Sequence, residues 1–235
     1  MAELRLEEVQ YQYQKTGQQV LKGVSCCFEG GQLCAVIGPS GSGKTTLLSL
    51  MAGLDRPTIG ELFVDGEPLS RMDFDCYRRE RISMIFQSFQ LFPLLSILEN
   101  VCYPMELKGE TKKEAEKRAK ELLELIGITK EKHKRFPSQL SGGEQQRVAI
   151  ARALSSGARI LLADEPTGNL DEENTGHIFR ILQDLAHQQG YCVVVVTHDL
   201  QAAELADRIF QMKAGQLIEQ KSSRCTRSIC SGSST

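Results

Sequence analysis

Long apolar runs are missing from this 235-residue chain. Its longest aliphatic stretches, "ILLA" and "CVVVVT", are strand-sized. A membrane-spanning helix needs roughly 18 apolar residues, so direct membrane insertion is not expected. The opening "MAELRLEEV" is acidic and has no apolar signal core, which argues against secretion. An excess of one charge is missing too. Lys and Arg total 28 against 30 Asp and Glu, a net charge of -2. Such a balance lends no support to a polyanion-binding surface, and nucleic acid is not an expected partner. The chain has eight cysteines but no C-x-x-C pair, so disulfide and zinc roles are not expected. Cys26 and Cys27 are adjacent, and Cys34 and Cys192 lie in apolar strand candidates. Most of the thiols read as small buried hydrophobes in a reducing cytosol. No internal repeat is visible. The length suits one large domain, or a core with a smaller subdomain, and is enough to bury a sizeable core.

What is present is an alternation of strands and helices. "LRLEEVQYQYQ" reads as an edge strand, and "VLKGVSCCFEGGQ" as a second strand. "QLCAVIG" has the continuous apolar character of a strand buried on both faces. "TTLLSLMAGL" is helical, "GELFVDGEPL" a strand and turn, and "RISMIFQ" another strand. "TKKEAEKRAKELLELIG" is strongly amphipathic, with Ala115, Ala119, Leu122, Leu123 and Ile126 on one face. Thr111 and Glu114 predict a capping box, Gly127 a stop, and Glu114 with Arg118 an i,i+4 ion pair. After Leu140 the order is helix, strand "RILLAD", helix "GHIFRILQDLAHQQ", strand "YCVVVVTHD" and helix "LQAAELAD". That order predicts a parallel sheet with crossover helices. "RIFQMKAGQLIEQ" reads as a hairpin around Ala214 and Gly215. Residues 221–235, rich in Ser and without periodicity, read as a disordered tail.

Between the buried strand and its helix, Gly38, Pro39, Ser40, Gly41, Ser42, Gly43, Lys44 and Thr45 match G-x-x-x-x-G-K-[ST]. The glycines let consecutive N–H groups point at one anion, and the helix start adds partial positive charge. Lys44 is expected to reach the outer phosphates, Thr45 to ligate Mg²⁺ and Thr46 to touch an inner phosphate. "RILLADEP" ends an apolar strand in two acids. Asp164 is expected to hold the metal, and Glu165 to polarise an attacking water.

A second glycine-rich turn, "LSGGE", precedes another helix. Ser141 and Glu144 fit a capping box, so a well-capped helix would explain them. The box does not require Gly142 and Gly143, which remove side chains where free N–H groups point outward. A turn of this kind with no second G-K-[ST] cannot easily hold a nucleotide unaided. Two copies meeting head to tail would let each turn cover the nucleotide bound by the other.

Together the phosphate loop and "LSGGEQQR" resemble the ATP-binding cassette (ABC) ATPases, over about Leu4 to Gln220. The resemblance implies an α/β fold: a P-loop NTPase core with a mainly parallel sheet and flanking helices. It adds an N-terminal antiparallel β subdomain and a helical insert of about 88–157, all within one domain of residues 1–220. ATP and Mg²⁺ are the implied cofactors, and an ATP-bound homodimer the implied assembly. Gln87 in "MIFQSFQLFP" is similar to the glutamine that senses Mg²⁺ and the γ-phosphate. Asp171 in "TGNLDEE" resembles the acid at the dimer seam, and His198 in "VVVVTHD" the histidine on the γ-phosphate. Tyr13 resembles the ring that stacks on adenine, with Tyr11 an alternative that spacing does not exclude. "GPSGSGKTTLL", "FQSFQLFP" and "DEPTGNLD" resemble the branch serving lipoprotein release, macrolide export and antimicrobial-peptide resistance. The cell-division ATPase of the same branch is also similar.

The expected function is therefore ATP hydrolysis that drives a separate transmembrane permease, in export or extraction, from the cytoplasmic face of the membrane. "FQLFPLLSILENV" is the expected docking stretch, because it joins Gln87 to the helical insert. A regulatory or mechanotransmission module acting on a membrane partner would carry the same catalytic residues. A soluble DNA-repair or translation ATPase is disfavoured by the absence of a long coiled-coil insert or second cassette.

Overall fold

A computed structural model describes residues 2–14 and 17–220; the expected tail lies outside the described residues. Strands β1 (Glu3–Gln12) and β2 (Gln19–Glu29) form an antiparallel pair. β3 (Leu33–Ile37) leads into α1 (Lys44–Met51). β4 (Ile59–Val64) and the short β5 (Glu67–Pro68) complete a four-stranded sheet in the order β2-β1-β4-β5. β1 is thus an interior strand, not the edge its sequence suggested. Its second neighbour, β4, lies more than forty residues further along the chain, beyond the reach of local pattern.

The central sheet runs β10-β9-β3-β8-β7-β6. It is built from β6 (Ile82–Phe86), β7 (Ile160–Asp164), β8 (Cys192–Thr197), β9 (Arg208–Lys213) and β10 (Gln216–Gln220), with β3 inside. All pairs are parallel except the β9–β10 hairpin. That hairpin turns on Ala214 and Gly215, both with positive φ, as a two-residue turn matched to strand twist requires. Strand alternation divides the core between the two faces. Ala35, Leu161, Val193 and Val195 pack with the helical side, and Cys34, Leu162, Val194 and Val196 with α1 and the antiparallel sheet. Both faces are dry, so the inner strands read as unbroken apolar runs. Cys34, Cys102 and Cys192 are buried and Cys26, Cys27 and Cys76 half-buried, all as free thiols. Burial pushes the Cys26 and Cys34 thiols up to about 12, which makes them packing groups rather than nucleophiles.

Helices α3 (Ile97–Leu107), α4 (Lys112–Leu125) and α5 (Gly142–Ser155) pack on one another between β6 and β7. α4 buries Ala115, Ala119 and Leu123 and has the expected Thr111–Glu114 capping box. The expected Glu114–Arg118 pair does not form. Glu114 accepts from Thr111, and Arg118 pairs with Glu110 at 3.5 Å instead. α2 (Phe74–Glu80) and α3 were not marked as helices by their sequence. α3 nevertheless has its own cue, a capping box of Ser96 and Glu99. α6 (Glu172–Gln189) begins earlier than "GHIFRIL" implies, because Asp171 caps it. α7 (Leu200–Ala203) is shorter than "LQAAELAD" suggested.

Candidate nucleotide site

Three neighbouring parallel strands, β3, β8 and β7, end at the C-terminal end of the central sheet, and the loops after them form the site. The β3–α1 loop carries Gly38, Pro39, Ser40, Gly41, Ser42 and Gly43. Gly43 takes the position before α1 with φ 109, a left-handed conformation closed to other residues. No side chain caps α1, and no acid lies in its first turn. Its leading N–H groups and the helix dipole are therefore directed at whatever occupies the cradle. The Ser42 hydroxyl is buried and has no hydrogen-bond partner among the described residues. Lys44 donates its ammonium to the carbonyls of Gly38 at 2.8 Å and Pro39 at 3.0 Å. It is thus held in the loop it is expected to serve.

β7 ends in Asp164, between Phe86 of β6 and Val196 of β8. Burial raises the Asp164 carboxyl above the ordinary aspartate value. Glu165 adds to the rise and Lys44 opposes it. A carboxylate held this way gains from a bound cation. Glu165 has φ 47, a left-handed backbone that is uncommon and strained for a residue with a Cβ. Its N–H donates to the Val196 carbonyl at 2.9 Å, which fixes the turn. Its carboxylate lies 2.7 Å from His198 Nδ1 and also accepts from the His198 backbone N–H at 3.3 Å.

A cavity of about 460 Å³ is lined by Tyr13, Ser40, Gly41, Gly43, Lys44, Thr45, Thr46, Asp164, Glu165 and His198. Gln18, Val20 and Val196 complete its lining, and no motif marks Gln18 or Val20. The free helix start, the unpartnered Ser42 hydroxyl and the loop-bound Lys44 fit a polyphosphate. The Thr45–Asp164 side fits its divalent cation. Tyr11 and Tyr13 separate here. Tyr11 is buried, its hydroxyl donates to Asp55, and its pKa is pushed up to about 12 by that bond and by burial. Tyr13 is 44% exposed, and its hydroxyl lies 3.1 Å from Thr46 Oγ1. Tyr11 packs edge-on against it, ring centres 5.1 Å apart. Tyr13 is the ring with a face to offer.

Gln87, Asp171, and the turn of Ser141 with Gly142 and Gly143 do not line this cavity. Gln87 follows β6. Its carbonyl accepts from Asn169 Nδ2 at 3.2 Å, and its side chain lies against Gly168. Arg152 of α5 donates to the carbonyls of Phe89 and Gln90, fastening the segment after Gln87 to the helical layer. No sequence signal pointed to Arg152. Asp171 accepts from the Asn174 N–H at 2.8 Å, so the acid expected at a seam also caps α6. Ser141 accepts from the Glu144 N–H at 3.3 Å, and the Ser141 N–H donates to the Glu144 carboxylate at 3.0 Å, closing the expected box. Lys132 pairs with Glu144 as well, a partner that sequence reasoning missed.

Residues 21–168 match the model of the ABC transporter family. The lipoprotein-releasing system ATP-binding protein LolD of Blochmanniella floridana is 42% identical over 88% of this chain and 89% of its own length. The macrolide export ATP-binding/permease protein MacB 2 of Yersinia pestis bv. Antiqua (strain Antiqua) is 44% identical over 93% of this chain. The match spans 33% of that relative. Among solved structures, the dimeric ABC transporter cassette MJ0796 superposes with a TM-score of 0.84 at 39% identity, covering 93% of this chain and 98% of that one. A dimeric post-hydrolysis state of the same cassette, bound to ADP and Pi, superposes with a TM-score of 0.84 at 38% identity over the same shares. A nucleotide cradle and acid pair on this fold, with ATP and Mg²⁺ as the family's ligands, leave one conclusion: the chain belongs to the ABC transporter family and is the ATPase subunit of a transporter.

Proposed function

We propose that two copies of this chain bind ATP between them and drive a membrane permease, in export or extraction, from the cytoplasmic face. The observation that carries this reading is the division of labour within one chain. Lys44, Thr45, Asp164, Glu165 and His198 share a cavity, and the Ser141–Gly143 turn lies outside it. The missing wall is supplied by the same turn of a second copy, and a two-fold pair completes two sites at once.

In this mechanism the backbone of Ser40 to Thr46 wraps the phosphates. Lys44 exchanges its two loop carbonyls for the outer phosphate oxygens. Tyr13 stacks on the adenine face. Thr45 and Asp164, with Gln87 at the next strand end, would hold Mg²⁺, which when bound neutralises charge on the phosphate oxygens. Glu165 accepts a proton from the attacking water, and its 2.7 Å contact with His198 holds that carboxylate in place. His198, on the cavity wall, faces the outer phosphate. Asp171 stands at the seam.

No helix among the described residues is long and apolar enough to cross a membrane, and in this reading the work is passed to a permease. Phe92 (40% exposed) and Leu94 (88%) offer an apolar landing beside the Gln87 loop. Ile97 and Val101 of the same stretch are core residues. Lipoprotein release and macrolide export, the roles named for LolD and MacB, favour outward movement or extraction.

The test is Glu165→Gln. ATP binding by calorimetry should persist, turnover should fall by about 10²–10⁴-fold, and ATP should trap a dimer on gel filtration. Normal turnover would remove Glu165 from this role. A chain that remains monomeric with ATP would remove the shared pocket.

A further inference from the structure

Gly143 is the second residue of α5 and is buried. Helix propensity favours alanine there by roughly 1 kcal/mol. The structure gives a reason for glycine that has nothing to do with an approaching anion. A Cβ on Gly143 would lie 2.3 Å from Asn174 Oδ1, 2.7 Å from Asn174 Cγ and 3.3 Å from Asn174 Cβ. Asn174 is not free to swing away. Its Nδ2 donates to both carboxylate oxygens of Asp171, at 2.9 and 3.1 Å, and its backbone N–H donates to the same carboxylate at 2.8 Å. The contact continues beside it, where a Cβ on Gly142 would meet Leu170 Cδ2 at 3.5 Å. Further back, Asn169 donates to the Gln87 carbonyl and Gly168 abuts the Gln87 amide. The Ser141 turn thus rests on the segment that follows the catalytic acid of its own chain.

We propose that Asn174 is a positioning residue. Braced by Asp171, its amide fills the space left by Gly143 and sets where the Ser141 turn is presented to the second copy. Gly143 is glycine to admit Asn174; the exposed Ser141 and half-buried Gly142 remain to face the nucleotide. The inference rests on the shared-pocket reading above, and the experiment separates the two.

All variants are made in the Glu165→Gln background, and ATP-dependent dimerisation is measured by analytical ultracentrifugation. ATP binding by the single chain, measured by calorimetry, reports that each variant is folded. Gly143→Ala should weaken dimerisation about tenfold or more with ATP binding retained, because Asn174 must release Asp171. Adding Asn174→Ala to Gly143→Ala should restore dimerisation to the level of Asn174→Ala alone. Asn174→Asp keeps the shape but loses the donor to Asp171, and should weaken dimerisation in the presence of the native glycine. Failure of Asn174→Ala to rescue Gly143→Ala overturns the inference, since the glycine would then be needed for the anion itself. Full dimerisation of Asn174→Asp overturns it equally, and does so even where Gly143→Ala does not fold. Failure of the Glu165→Gln parent to dimerise condemns the shared pocket instead.

Discussion

The chain has two glycine-rich turns, each opening a helix, and the two are built in opposite ways. α1 begins at a left-handed glycine with no side-chain cap and no acid in its first turn. α5 begins at Ser141, with a closed capping box and Glu144 in its first turn. The first leaves its backbone donors open to an anion inside the chain. The second has already satisfied part of its helix start, and it carries an acid whose charge Lys132 offsets. Local composition is therefore a poor guide to which turn receives a ligand unaided. In the proposed reading the capping state of the helix distinguishes them, because the same N–H groups serve either a cap or a phosphate.

Substitutions can break this contrast. Lys44→Ala should have the largest effect among changes to the two turns. Losing a charged donor to the outer phosphates should raise the ATP Kd about 10–100-fold, read by calorimetry. Ser141→Ala should act on the other side of the comparison. It removes a cap and should lower stability by about 1 kcal/mol in urea unfolding, while ATP binding by the single chain stays unchanged. A loss of ATP affinity in Ser141→Ala would mean that the two turns are not separate within a chain. The smallest effect concerns pH. The Lys132 ammonium, and then the Ser141 backbone N–H, hold the Glu144 carboxyl below the ordinary glutamate value. A folded pKa lowered in this way stabilises the chain above the unfolded value, roughly 4.3, and the contribution fades as pH falls through the folded value. Glu144→Gln should therefore be less stable than the parent at pH 7, and the gap should close below about pH 4. A gap independent of pH would assign the box to shape rather than charge.

Much of the architecture could be read before any coordinates because its signals are local. The apolar β3, β7 and β8 reflect burial on both faces, and α4 announces itself by period, cap and stop. The phosphate loop is legible for the same reason, since one continuous segment makes the cradle. What escaped was non-local or competed for. β1 is interior because β4 returns to it. Arg118 finds Glu110 because the Thr111 cap already holds Glu114. Tyr11 differs from Tyr13 because Asp55, more than forty residues away, takes the Tyr11 hydroxyl.

By itself the sequence determined the strand and helix order, the phosphate loop, the acid pair and the second glycine turn, since each needs only neighbouring residues and their periodicity. Only tertiary structure decided that Glu165 and His198 meet, that the Ser141 turn stays out of its own cavity, and that Asn174 stands where a Gly143 side chain would go. Those facts depend on where distant segments pack, and packing distance leaves no mark in sequence spacing.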